Sequence, residues 1–240
     1  MSRAPLRFPA TARHTATVIF VHGLGDSGHG WAAAVENWRR RQRLDEVKFI
    51  LPHAPSIPIT INGGMKMPGW YDIVDLGGSL DAMRRSEDAA GIVRSQEYLH
   101  SLIQQEMDAG IPAERIVLGG FSQGGAMSLF AGLTARVRLA GIVAMSSYLL
   151  LGSKLGDYLP SPELNRATPI LMAHGTADAV VGFPVGRMSY EMVKQRGYNV
   201  TMKIYEGMGH DACPEELDDI EAFLRERLPA LDQSTGKAEL

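Results

Sequence analysis

The 240-residue sequence predicts a single α/β domain with a mostly parallel sheet covered by helices on both faces. Three observations predict it. Short β-branched or aliphatic runs alternate along the chain with helix-length amphipathic segments. Most of these runs lead directly into a glycine-rich or polar loop. No repeat, charge block or low-complexity linker divides the chain, so the domain is expected to span residues 15–230, between an N-terminal lead-in (1–14) and a polar, mobile tail (231–240).

Residues 15–22 (TATVIFVH) read as a strand buried on both faces. A glycine-rich loop, 23–30, and a helix over about 31–42 follow. Residues 47–51 form the second strand, stopped by Pro52-His53-Ala54-Pro55. From 57 to 86 no periodicity is sustained, and the segment is expected to be irregular. A helix runs over 89–107 with Ile92, Leu99, Leu102, Ile103 and Met107 on one face and Gly110 as its stop. Then come a strand at 115–120, a small-residue helix at 126–133 and a strand at 140–145. A loop leads to a strand at 169–174, a helix at 185–196, a strand at 200–205 and a final amphipathic helix at 215–228.

Composition narrows the function classes. The chain is 45% hydrophobic and 21% charged with a formal net charge of −3, which offers no electrostatic case for nucleic acid as a partner. No apolar run approaches the length of a membrane span. Residues 1–10 carry Pro5 and Pro9 and no long apolar core, unlike a secretory leader. Cys213 is the only cysteine, so no intrachain disulfide can form, and it stands far from either end, where a lipid anchor would attach. These features read as a cytoplasmic protein, with the nucleus also open to it.

Chemistry concentrates where strands give way to loops. Gly120-Phe121-Ser122-Gln123-Gly124-Gly125 joins a strand to a helix and matches G-x-S-x-G, in which a sharp turn projects the serine above the sheet. Gly23, Gly25 and Gly28 also spell G-x-G-x-x-G, but the acids Asp45 and Glu46 precede the second strand instead of closing it, so a dinucleotide cofactor is not expected. The loop reads better as backbone N–H groups free to face an oxyanion. Ser122, Asp178 and His210 each follow a different strand, which brings them to one sheet edge in the order serine, acid, histidine. A histidine titrates near neutrality and can take the serine proton, while an aspartate holds its imidazole in the useful tautomer.

Rival readings are weaker. Asp211 adjoins His210 and cannot easily bend back onto its ring. His22 and His174 precede glycines and read as loop-shaping or supporting groups. The histidines lack tight metal-ligand spacing, so no metal is expected, and Cys213 lies at a helix lead-in, not at an elbow. The N–H groups of Gln123 and Leu24 are the natural oxyanion donors. Met65, Met67, Trp70 and Tyr71 form a soft, aromatic cluster that is expected either to wall an apolar pocket or to cap the edge of the core.

Together H-G-L-G-D-S-G-H-G-W, P-H-A-P, M-P-G-W-Y-D, G-F-S-Q-G-G, H-G-T-A-D and G-M-G-H resemble the acyl-protein thioesterase and lysophospholipase family of small α/β-hydrolases, over about residues 15–228. The resemblance implies an α/β-hydrolase fold without a large cap domain and no cofactor. It implies Ser122 as nucleophile, Asp178 and His210 as its partners, and Leu24 and Gln123 as oxyanion donors. The implied reaction is hydrolysis of fatty-acyl thioesters on protein cysteines, with side activity on lysophospholipids and small esters. The implied partners are S-acylated proteins and lipid-like acyl substrates, with peripheral membrane contact and a monomeric or weakly dimeric state. Residues 79–90 are less acidic than the family suggests, and the tail has no obvious counterpart. Two other readings stand beside it: a general short-chain carboxylesterase, and a hydrolase fold kept as a non-enzymatic binder.

Overall fold

A computed structural model of the chain describes residues 3–75 and 87–231. In chain order the elements are β1 (Leu6–Phe8), β2 (Ala16–Val21), α1 (Ala32–Arg40), β3 (Val47–Leu51), β4 (Ser56–Ile59), β5 (Met65–Pro68), α2 (Ala89–Asp108), β6 (Ile116–Phe121), α3 (Gln123–Leu133), β7 (Gly141–Met145), β8 (Ile170–Gly175), α4 (Phe183–Gln195), β9 (Val200–Tyr205) and α5 (Pro214–Arg227). Seven strands make one sheet in the order β1-β3-β2-β6-β7-β8-β9. All its neighbours run parallel except β1, which is antiparallel to β3.

The strands alternate their side chains between two apolar layers, as a sheet covered on both faces requires. Val18 and Phe20 of β2 enter the layer that holds Val35 and Trp38 of α1 and Ile220 and Leu224 of α5. Ile19 and Val21 enter the other, with Leu99 and Leu102 of α2, Phe130 of α3 and Val193 of α4. Burying a side chain of this size stabilises the fold by about 1.5–3 kcal/mol. That frame holds the strand ends, where the loops emerge, in fixed register.

The expected helices and sheet strands appear within about three residues of their boundaries. Two segments differ. Residues 57–86 were expected to be irregular, yet Ser56–Ile59 and Met65–Pro68 pair antiparallel with Ile59 opposite Met65. The chain turns at Gly63 and Gly64, with φ of 64° and 78°. Pro58 and Pro68 mask this hairpin in the sequence because proline cannot donate to a ladder. The lead-in supplies the edge strand β1, its Leu6 opposite Leu51. Residues 76–86 and the tail from 232 onward lie outside the described residues, so the weakly acidic stretch 79–90 is described only from residue 87.

Two buried glutamates are treated very differently. Glu106 of α2 accepts from Thr17 Oγ1 at 2.7 Å and Lys48 Nζ at 2.6 Å, which ties α2 to β2 and β3. Glu216, in the first turn of α5, is fully buried and neither carboxyl oxygen has a partner among the described residues. Burial, then Asp211 and Asp219, push its pKa up to about 8. The native state therefore holds a proton that the unfolded chain releases near 4.5, and stability falls as pH rises through that window. The slope from this group is on the order of 1.4 kcal/mol per pH unit. Glu216→Gln should remove it: urea midpoints at pH 5.5 and 8.5 should draw together, with the variant gaining most at the higher pH.

Candidate active site

The site begins with a backbone that only this sequence context permits. Ser122 sits between β6 and α3 at φ 55° and ψ −124°. Its N–H is held by the Met145 carbonyl at 2.9 Å. The neighbouring glycines leave no room for anything larger. A Cβ on Gly120 would lie 2.6 Å from the Val21 carbonyl oxygen, and one on Gly124 would collide with the carbonyls of Val21 and His22. Gly23 packs against the serine in turn, since a Cβ there would lie 3.2 Å from Ser122 Cβ.

From that turn an unbroken line of hydrogen bonds runs inward. Ser122 Oγ meets His210 Nε2 at 2.8 Å, and His210 Nδ1 meets Asp178 Oδ2 at 2.8 Å. A carboxylate can only accept, so Nδ1 carries the hydrogen and Nε2 is left bare to accept from the serine hydroxyl. Asp178 Oδ1 accepts the N–H groups of Val180 and Val181, both at 2.9 Å. His174 Nε2 lies 3.3 Å from Oδ2 and 2.8 Å from the Val181 carbonyl. Burial alone would raise the pKa of Asp178, but hydrogen bonds from His174, His210 and the Val180 N–H hold it well below the usual carboxylate range. The acid thus stays ionised across the neutral range and keeps His210 oriented. His174, read from sequence only as a supporting residue, closes this cluster from below.

The two residues expected to donate to an oxyanion, Leu24 and Gln123, are held by groups that the sequence only partly shows. Gln123 opens α3, so its N–H is one of the donors that a helix N-terminus leaves unpaired. Its buried side chain, not foreseen, clamps the chain opposite: Oε1 accepts the Trp70 N–H at 2.8 Å and Nε2 donates to the Tyr71 carbonyl at 2.7 Å. Buried His22 accepts the Ala54 N–H on Nε2 at 3.1 Å, so its Nδ1 is the atom that donates to the Gly23 carbonyl at 2.7 Å. In a planar trans peptide the carbonyl and the following N–H point in opposite directions. Binding the Gly23 carbonyl therefore aims the Leu24 N–H. His53 Nδ1 likewise accepts from the Gly28 N–H at 3.1 Å.

A cavity of about 170 Å³ opens beside Ser122, lined by Leu24, Ile73, Gln123, Tyr148, Val180, Val181 and His210. The methionine and aromatic cluster expected to wall it sits elsewhere. Met65 is 64% exposed on β5, and Met67 lies near Gly25 and Asn62 on the same hairpin. Trp70 is buried with its Nε1 donating to the His22 carbonyl, and the Tyr71 hydroxyl meets that of Tyr148. Both are core residues whose polar tips brace the site. Ile73, Tyr148, Val180 and Val181, on three separate loops, line the cavity instead. Among the described residues no group of three or more histidine, cysteine or acidic side chains could hold a metal ion.

A parallel-sheet α/β fold with this serine, histidine and aspartate at the strand ends defines a serine hydrolase of the α/β-hydrolase class. A profile described as Phospholipase/Carboxylesterase matches residues 8–228. The chain belongs to that family. It is 67% identical to acyl-protein thioesterase 1 of Neurospora crassa over 99% of this chain and 98% of the relative. It is 62% identical to acyl-protein thioesterase 1 of Gibberella zeae, over 94% and 96% of the two chains. Among solved structures, acyl-protein thioesterase 2 of Zea mays superposes with a TM-score of 0.82 at 30% identity, over 93% of this chain and 98% of that one.

Replacing His22 by phenylalanine keeps a ring but strands the Gly23 carbonyl and the Ala54 N–H, each costing about 1–3 kcal/mol. With a p-nitrophenyl ester, kcat should fall about 10- to 100-fold with a smaller change in KM, by analogy with loss of an oxyanion donor. Burial lowers the pKa of His22, so its contribution to stability is complete above its ordinary 6.5 and is lost as pH falls toward its folded value. The difference in Tm between wild type and His22→Phe should therefore be larger at pH 8 than at pH 5.

Proposed function

We propose that this enzyme hydrolyses fatty-acyl thioesters on protein cysteines through an acyl-enzyme on Ser122, with His210 as general base and acid and Asp178 as its orienting partner. The observation that carries this reading is the continuous Ser122–His210–Asp178 contact, 2.8 Å at each step, opening onto an apolar cavity. The relatives named acyl-protein thioesterase supply the substrate class. Ser122 Oγ bonds to the acyl carbon as His210 Nε2 takes its proton. The carbonyl oxygen gains negative charge facing the N–H groups of Leu24 and Gln123. The carbon–sulfur bond then breaks, and the sulfur departs with the proton from His210. Water repeats the sequence: His210 deprotonates it, its oxygen bonds to the acyl carbon, and the fatty acid leaves as Ser122 Oγ recovers the proton. A thiol leaving group, with a pKa of about 8.5, needs less protonation on departure than an alcohol does.

The acyl chain starts in the cavity, against Ile73, Tyr148, Val180 and Val181, and extends over exposed Val74 and Val180. Lysophospholipids and small esters fit the same chemistry as side substrates. On this reading the enzyme works in the cytoplasm and the nucleus as a monomer or weak homodimer and touches membranes peripherally. The hairpin supports the last point, since Ile61 and Met65 are exposed beside Lys66. A second reading, a short-chain carboxylesterase, is favoured by one observation: about 170 Å³ is smaller than the roughly 300–1,000 Å³ of typical ligand pockets.

An S-palmitoylated peptide should release thiol on incubation with the enzyme, and Ser122→Ala should lower that rate by about 10³-fold or more. Equal turnover by the variant would remove the assignment. A kcat/KM series over acyl lengths from acetyl to palmitoyl separates the two readings: a rise with length supports the thioesterase, a steep fall supports the carboxylesterase.

A further inference from the structure

His210 lines a second cavity. It holds about 300 Å³ and is walled by Asp26, Gly30, Trp31, Ala34, Phe121, Asp211, Ala212 and Leu217. The two cavities share His210 and otherwise have different walls. The one described above carries Ser122 and both oxyanion donors. The other carries an aromatic step, Phe121, whose ring lies 5.6 Å from Trp31 and 4.8 Å from the His210 imidazole.

That division matters for a two-substituent substrate. The acyl carbonyl must sit between Ser122 Oγ and the oxyanion donors, so the acyl chain belongs on their side. The leaving group must receive its proton from His210 Nε2, and the peptide beyond its sulfur runs on past that histidine, the one residue that the two cavities share. The second cavity has Trp31, Phe121, Ala34 and Leu217 as its larger apolar lining residues. Its rim bears two carboxylates, Asp26 and Asp211, both exposed. Asp26 Oδ1 accepts the Ser27 N–H and Asp211 Oδ1 the Ala212 N–H. No lysine or arginine lines the cavity among the described residues.

We infer that this cleft is the leaving-group subsite, and that it receives the peptide around the acylated cysteine, selecting lysine or arginine next to that cysteine. The alkyl stem of such a side chain lies along Trp31 and Phe121 while its charged head reaches Asp211. The inference rests on the thioesterase reading above and adds to it a sequence preference in the protein substrate. One exposed charge pair at contact distance changes binding about five-fold at low salt, and screening reduces this at high salt.

Two S-palmitoylated peptides, identical except for arginines or glutamates flanking the cysteine, test it. For the wild-type enzyme the ratio of their kcat/KM values at low ionic strength should favour the basic peptide by about five-fold or more. In Asp211→Asn, which keeps the Oδ1 acceptor for Ala212, and in 0.5 M salt, that ratio should shrink toward one. Because the readout is a ratio within each enzyme, any general loss of activity cancels. Equal turnover of the two peptides by wild type, or a ratio unchanged in Asp211→Asn, overturns the subsite. Failure to release thiol from either peptide overturns the thioesterase reading beneath it.

Discussion

At φ 55° and ψ −124°, Ser122 occupies a backbone conformation that a residue with a side chain adopts only when its surroundings impose it. Strain of this kind costs about 1–3 kcal/mol and persists because neighbours over-determine it. Here the neighbours can be named. The Met145 carbonyl holds the serine N–H, and the Ala126 N–H bonds back to the Ser122 carbonyl. Gly120, Gly124 and Gly23 let β2, β6 and α3 close around the turn with no side chain between them. The same turn sets two other groups. It points Oγ at His210, and it makes Gln123 the first residue of α3, where its N–H lacks an intrahelical partner.

Around that turn, polar groups are placed so that each histidine they bond has one workable tautomer. His22 accepts from Ala54 and donates to Gly23, His53 accepts from Gly28, and His210 donates to Asp178. Asp178 has all its lone pairs engaged by donors and stays charged although buried. Glu216, a few residues beyond His210, is the opposite case, a buried acid without partners among the described residues that is held protonated. The first arrangement cross-links the loops at the strand ends, and the second gives α5 a pH cost.

The frame was legible in the sequence because its signals are local. Doubly buried strands are short aliphatic runs, helices carry a repeating apolar face, and glycine or proline marks their ends. The serine, acid and histidine were legible for a topological reason: in a parallel sheet, residues that follow strands converge on one edge. The hairpin of Ser56–Ile59 and Met65–Pro68 was not, since Pro58 and Pro68 disguise its alternation. Nor was the apolar wall of the cavity beside Ser122. Ile73, Tyr148 and Val180 stand far apart in the chain, and only the folded sheet ends bring them to one cavity. Trp70 and Tyr71 misled because large aromatics serve cores and pockets alike. Their burial and hydrogen bonds, visible only in the fold, decide for the core. The Gln123 side chain left a fainter signal, a long amide among glycines in a buried turn, where a polar group must find partners.

The central claim is that this imposed turn makes Ser122 a nucleophile. Intact-protein mass spectrometry after exposure to a fluorophosphonate tests it most directly, with peptide mapping to locate the adduct. The account predicts a single adduct on Ser122, formed quickly by wild type and far more slowly by Gly124→Ala, whose Cβ would collide with the Val21 and His22 carbonyls. No adduct, an adduct on another residue, or unchanged labelling of folded Gly124→Ala would contradict it.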